Sequence, residues 1–113
     1  METESVIAAL AALAQETRLA VFRLLVQAGP EGMAATRISE QVGIVPSSLS
    51  FHLKEMLHAD LVTSRQESRF VIYSANFNII NGLVGFLTEN CCAGSPCAPV
   101  RGPTCSSSEG VPS

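Results

Sequence analysis

Four cysteines, Cys91, Cys92, Cys97 and Cys105, fall within the last 23 of 113 residues. Thiolates are soft donors for thiophilic ions and the reacting groups of disulfide exchange. A disulfide scaffold staples a core, and these four lie outside the stretches that would form one. In a reducing cytosol, clustered thiols act as ligands or redox groups. Four of them suffice for a tetrahedral zinc site, although the C-x-x-C spacing usual for one is missing. A Cys92–Cys97 disulfide is another option, whereas a bond between adjacent Cys91 and Cys92 is strained. Incidental cysteines in an unliganded tail are the remaining reading. Adjacent residues of a regular helix point about 100° apart. Cys91 and Cys92 therefore serve one centre only where the helix ends or unwinds, which Gly94 and Pro96 favour while letting Cys97 fold back.

A second set of residues suits a different chemistry. Residues 44–61 read I-V-P-S-S-L-S-F-H-L-K-E-M-L-H-A-D-L. Leu49, Leu53, Met56 and Leu57 recur at i, i+4, i+7 and i+8, one helical stripe. Ser47, Ser48, Ser50, Phe51 and His52 crowd the first turns, with Lys54 after them. Hydroxyls, an aromatic ring and an imidazole near a helix N-terminus suit phosphates and base edges. Each also has a plainer role: Ser48 and Ser50 favour a helix start, and His52 fits a core edge. Ser47 is placed to cap the helix, and Pro46 stands near its start, where a missing N–H costs nothing.

The elements that must position these residues follow from periodicity and punctuation. Residues 4–14 form a helix that is apolar nearly all round, with Glu2 and Glu4 at the end favoured by its dipole. Residues 16–27 form a second helix, with Leu19, Phe22 and Val26 on one face, stopped by Gly29-Pro30. A short extended connection follows. Residues 34–42 form a short helix with Ile38 and Val42 inward and Gly43 as its C-terminal cap. Helix, short turn, helix is the helix-turn-helix signature. Residues 61–65 and 70–74 alternate as two strands around a polar turn at 66–69, giving a hairpin wing flanked at its tip by Arg65 and Arg69. Those two arginines suit phosphates or the minor groove, or are simply solvated. Residues 76–90 form the last helix, again with apolar residues on more than one stripe. The first and last helices are the natural pair for a two-fold interface, through Val6, Leu10, Leu13, Ile79, Leu83, Phe86 and Leu87. The expected fold is mainly α with a β-hairpin wing, a homodimeric winged helix-turn-helix. Its domain spans residues 1–92, and a flexible Gly/Pro/Ser-rich tail spans 93–113.

The whole-chain values narrow the function. A chain of 113 residues buries a limited core alone, so association with a second copy is expected. There is no run of 18 apolar residues to span a membrane. The acidic start M-E-T-E-S lacks the basic region of a secretory signal, so the expected location is the cytoplasm. The formal charge is −3, and residues 35–73 carry four basic and four acidic side chains. No basic patch announces nucleic acid, so non-specific DNA affinity should be weak. No acid, base and nucleophile converge, which argues against an enzyme.

The order of elements resembles the ArsR/SmtB family of winged-helix repressors. S-S-L-S-F-H-L-K-E-M-L-H-A-D-L-V from Ser47 to Val62 matches its serine-rich helix start and its His-Leu-Lys pattern. L-A-x-x-x-R-L-A-V-F-R-L-L from Leu13 to Leu25 matches its second-helix signature. The resemblance covers about residues 6–92. It implies a homodimer that binds double-stranded operator DNA and releases it when an inducer binds. Arsenic sensors of the family with Cys-Val-Cys in the helix before the turn differ from this chain, where A-A-T-R-I-S-E-Q-V holds no cysteine. Zinc-sensing relatives use Asp and His on the last helix, and here the only histidines are His52 and His58. The cadmium and lead type recruits N-terminal cysteines, which residues 1–90 lack. E-N-C-C-A-G-S-P-C resembles a subgroup of arsenic sensors with ligands at the end of the last helix. That resemblance implies Cys91, Cys92 and Cys97 as ligands, with Cys105 extra.

Trivalent arsenic takes three thiolates in a pyramid, so three cysteines make a complete site. The expected inducer is As(III) or Sb(III), with no permanent cofactor. The same fold could instead answer to a methylated trivalent arsenical, zinc or an oxidant. A metalloid-sequestering protein that never binds DNA is the alternative of a different class, favoured by the acidity and opposed by the wing and the serine-rich helix.

Overall fold

The computed structural model describes residues 1–94. In chain order these form α1 (Thr3–Leu13), α2 (Glu16–Ala28), a 3-10 turn over Gly29–Glu31, β1 (Met33–Ala34), α3 (Ala35–Val42) and α4 (Pro46–His58). Then come β2 (Val62–Glu67), β3 (Phe70–Ala75), α5 (Phe77–Leu87) and a second 3-10 turn, Cys91–Gly94. The chain divides into two compact units, one ending at Leu83 and the other beginning at Val84. That boundary lies inside α5, ahead of the one drawn from composition at residue 92.

One face of each helix supplies the core of the first unit. Val6, Ala9 and Ala12 come from α1, and Val21, Phe22 and Leu25 from α2. Ile38 comes from α3, and Leu49, Leu53 and Met56 from α4. Leu61, Val62, Ala75 and Leu83 complete it. Each fully buried Leu, Ile or Met contributes roughly 1.5–3 kcal/mol relative to exposure. Ala9 and Ala12 are small and buried, so α1 can approach the core closely. Val42, expected inward, is only half-buried, so Ile38 alone anchors α3.

The sheet has three antiparallel strands in the order β1-β3-β2. β3 is central, pairing Val62 with Ala75 through Glu67 with Phe70 on one side, and Met33 with Tyr73 on the other. The expected extended connection is therefore a 3-10 turn followed by a third strand. Gly32 makes this possible: its φ is +72°, and a Cβ there would collide with Ser74 Oγ and the Tyr73 carbonyl. The hairpin turn is shorter than expected, only Ser68 and Arg69, with Ser68 at φ +59°. The strands run on to Glu67 because Gln66 and Glu67 still pair with Val71 and Phe70.

Asn76 links the wing to α5. Its Oδ1 accepts from Asn78 N–H at 3.2 Å, capping the helix, and its Nδ2 donates to the Asp60 carbonyl at 2.9 Å. No single helix among the described residues is long and apolar enough to cross a membrane.

Candidate functional site

The reading head begins with the turn between α3 and α4. Gly43 ends α3 in the left-handed region at φ +80°. Gly43 and Ile44 both donate backbone N–H groups to the Ser39 carbonyl, at 2.9 and 3.2 Å. Ser39 Oγ in turn donates to the Ile44 carbonyl. Ser39 thus secures both sides of the turn. Sequence reasoning missed it because a serine three residues from a helix end has no distinctive pattern.

α4 then starts at Pro46, the first helical residue, with Val45 as its N-cap and no side-chain capping bond. Ser47, expected to cap, stands one residue inside the helix, because Pro46 already occupies the first position. Leu49, Leu53 and Met56 face inward at 2%, 2% and 0% exposure. Ser47, Ser48, Ser50, Phe51 and Lys54 are all exposed, Phe51 at 56%. Val45, also exposed at 60%, extends this face by one apolar residue. A helix that turns hydroxyls, an aromatic ring and one ammonium to solvent is equipped to meet base edges, thymine methyls and phosphates.

His52 stands apart from its neighbours. It is half-buried at the rim of the stripe, and its Nδ1 accepts from Arg18 Nε of α2 at 3.2 Å. The Phe51 and His52 rings meet edge to face at 5.6 Å, and the Arg18 guanidinium carbon lies 5.9 Å from the Phe51 centroid. Arg18 belongs to the second-helix signature, yet its bond to His52 spans 34 residues and is invisible to local pattern reading.

The wing separates its two arginines. Arg69 is exposed in the two-residue turn at the tip. Arg65, expected to flank the tip, pairs with Ile72 further down the hairpin. Its guanidinium donates to Glu67 Oε2 at 2.7 Å, Ser74 Oγ at 3.2 Å and the Glu31 carbonyl at 2.6 Å. Ser74 Oγ also donates to the Pro30 carbonyl at 3.2 Å. Arg65 therefore clasps the wing to the link between α2 and β1.

The expected interface residues also separate. Val6 and Leu83 are buried at 3% and 8% within the protomer's own core. Helical rotation turns Ile7 outward instead, at 60%, alongside Leu10 at 42%, while Leu13 and Ile79 are half-buried. In the second unit, Val84 and Leu87 are exposed at 56% and 62%, and Phe86 is half-buried.

The thiol end begins where α5 stops, three residues before the expected Asn90. Asn90 and Cys92 adopt φ of +58° and +55°, so the chain winds out of α-geometry around the pair. The Cys91 and Cys92 sulfurs lie 3.7 Å apart. Zinc–thiolate bonds of about 2.3 Å at a tetrahedral angle hold two sulfurs roughly 3.8 Å apart, a spacing that this pair matches and could use for one thiophilic centre once both sulfurs are thiolates. Cys92 also takes part in a disulfide. Cys97 and Cys105 lie outside the described residues. Among the described residues, no three His, Cys, Asp or Glu side chains are grouped to hold a metal.

Comparisons with known proteins bear on this geometry. A helix-turn-helix domain model matches residues 13–65. The arsenical resistance operon repressor of Bacillus subtilis (strain 168) is 33% identical over 81 residues, covering 72% of this chain and 73% of that protein. The chain belongs to the ArsR family of winged helix-turn-helix transcriptional regulators. Another relative in sequence is the nodulation protein NolR of Rhizobium meliloti, 30% identical over 80 residues. That match covers 71% of this chain but only 63% of NolR, so this ArsR-family chain spans less than two thirds of that relative. A solution structure from Mycobacterium bovis, the homodimeric winged helix-turn-helix DNA-binding domain of a possible ArsR-family regulator, gives a TM-score of 0.63 at 22% identity. It covers 81% of this chain and 85% of that one. At that identity the likeness establishes the fold, and it matches the mainly helical architecture and wing described above.

Proposed function

We propose that this ArsR-family chain is an arsenite-responsive repressor that binds operator DNA as a homodimer. The observation that carries the arsenic reading is the pair of sulfurs 3.7 Å apart where α5 has unwound. Similarity to an arsenical resistance repressor supports it. Once the Cys92 disulfide is reduced, Cys91 and Cys92 supply two thiolates and Cys97 the third, completing the pyramid that trivalent arsenic or antimony takes. In the unliganded dimer, each protomer presents α4 to a major groove, using Ser47, Ser48, Ser50, Phe51, His52 and Lys54. Arg69 reaches the flanking phosphates from the wing. Ile7 and Leu10 of α1, with Val84 and Leu87 of α5, supply exposed apolar surface for the partner protomer, as the homodimeric M. bovis domain suggests.

Arsenite refolds the end of α5, and α5 belongs to the dimer contact. Closing the three thiolates on one centre therefore changes how the two reading heads are spaced. A differential affinity of about 1–3 kcal/mol between the two states is the usual size of such coupling. A ligand can shift the equilibrium only by that difference.

Fluorescence anisotropy with the gene's own upstream DNA tests this. Wild type should bind and then release on arsenite, while Cys92→Ser should bind equally and stay bound. A Cys92→Ser protein that still releases DNA on arsenite removes Cys92 from the site.

The disulfide at Cys92 favours one other signal, an oxidant. In that reading thiol oxidation, rather than metalloid, resets the end of α5. Release by peroxide without arsenite, reversed by a dithiol reductant, would select it.

A further inference from the structure

We infer that Arg18 is a positioning residue for the reading helix, holding His52 in the tautomer that offers an Nε2–H donor to a hydrogen-bond acceptor on DNA. This rests on the operator-binding reading above.

A guanidinium has five N–H donors and no acceptor. The contact from Arg18 Nε to His52 Nδ1 at 3.2 Å therefore makes Nδ1 the acceptor. An imidazole nitrogen that accepts carries no proton, so the ring proton sits on Nε2. Among the described residues no protein group bonds Nε2. It is the one imidazole nitrogen left for an outside partner.

Arg18 is itself held from three directions. Its backbone N–H donates to Gln15 Oε1 at 2.9 Å, the N-cap contact of α2. Its Nη1 reaches the Ala12 carbonyl at the end of α1 at 3.5 Å. Its guanidinium lies beside the Phe51 ring, which meets His52 edge to face. One cation thus fixes two adjacent side chains of α4 from a different helix. The rest of the exposed face gives little fixed polarity. Serine hydroxyls rotate and can donate or accept, and Lys54 is a mobile point charge. His52, locked as a donor, selects acceptors such as guanine N7 and O6, adenine N7, thymine O4 or a phosphate oxygen.

Two measurements on the full chain test this. Long-range 1H–15N spectra of the imidazoles at about pH 8, above the ordinary histidine range, should show His52 protonated on Nε2. Arg18→Gln should move it toward a mixture of tautomers. In DNA titrations, Arg18→Gln should weaken operator binding about tenfold, equivalent to one lost hydrogen bond to a charged group. It should add nothing in a His52→Ala background, because its effect runs through that ring. Arg18→Lys should not rescue, since an ammonium lacks the planar fork. Thermal melts would confirm that each variant folds.

A wild-type spectrum with the proton on Nδ1 overturns the role of Arg18 even where operator binding is tight. Additive losses with His52→Ala, with a salt slope reduced by about one, would make Arg18 a direct phosphate contact instead. Wild type that fails to bind the DNA overturns the operator reading itself, whatever the spectrum shows.

Discussion

The turn before α4 and the turn after α5 both interrupt a helix, yet they are held by different means. At the first, glycine takes the left-handed position, Ser39 bonds across the bend, and buried Ile38 and Leu49 stand on either side. At the second, Asn90 and Cys92 take left-handed positions without being glycine. Local bonds hold it: Thr88 Oγ donates to the Val84 carbonyl at 2.6 Å, and Cys91 N–H to the Thr88 carbonyl at 2.9 Å. No side chain from Val84 to Cys92 is buried. Left-handed conformations of non-glycine residues cost on the order of 1–3 kcal/mol each where the surroundings must enforce them. The α3–α4 turn is thus preset by packing, whereas the thiol end is held by local hydrogen bonds and the Cys92 disulfide.

The sharpest way to break this contrast is to attack both ends and compare stability. Met56→Ala removes a side chain with 0% exposure, and should destabilise by about 2–5 kcal/mol in urea unfolding. A loss below about 1 kcal/mol would mean the reading helix is loosely packed and the contrast wrong. Gly32→Ala comes next, because both its φ of +72° and the contacts to Ser74 and Tyr73 oppose a Cβ. It should cost roughly 2 kcal/mol or more, seen as a lowered midpoint in a thermal melt. Arg65→Ala removes three hydrogen bonds from partly exposed groups, and should cost about 1–2 kcal/mol. Amide exchange should rise first in β2 and at Ser74. The Arg65–Glu67 ion pair is exposed, so Glu67→Gln alone should change little. Ser39→Ala should cost about 1 kcal/mol through its single bond to the Ile44 carbonyl. The smallest effect belongs to Cys91→Ser under reducing conditions, within about 0.5 kcal/mol. A larger loss there would show that the thiol end supports the fold.

Much of this division was legible in the sequence. The i, i+4, i+7 leucine and methionine pattern located α4, and Gly29-Pro30 and Gly43 marked two helix ends. The adjacent cysteines demanded a broken helix, and α5 does break before them. What escaped the reading depends on distant partners. β1 is two residues long and exists because β3 offers it a free edge. Arg65 looked like a tip residue because the turn was drawn two residues too long, and the strand pairing, not local composition, ended it. Val6 and Leu83 were assigned outward because an apolar helix carries no mark of which side its own core takes. Arg18 and His52 find each other only once three helices are packed.

The clasp made by Arg65 has a consequence for how such a protein can be altered. It fixes the hairpin at its base, against Glu31 and Ser74, and leaves the Ser68–Arg69 turn outside the fastened part. Residues beyond a fastening point tolerate insertion, since exposed tips bear little of the fold. Selection or an engineer could lengthen, shorten or recharge that tip while the scaffold stays unaltered. The wing is in this sense an interchangeable fitting.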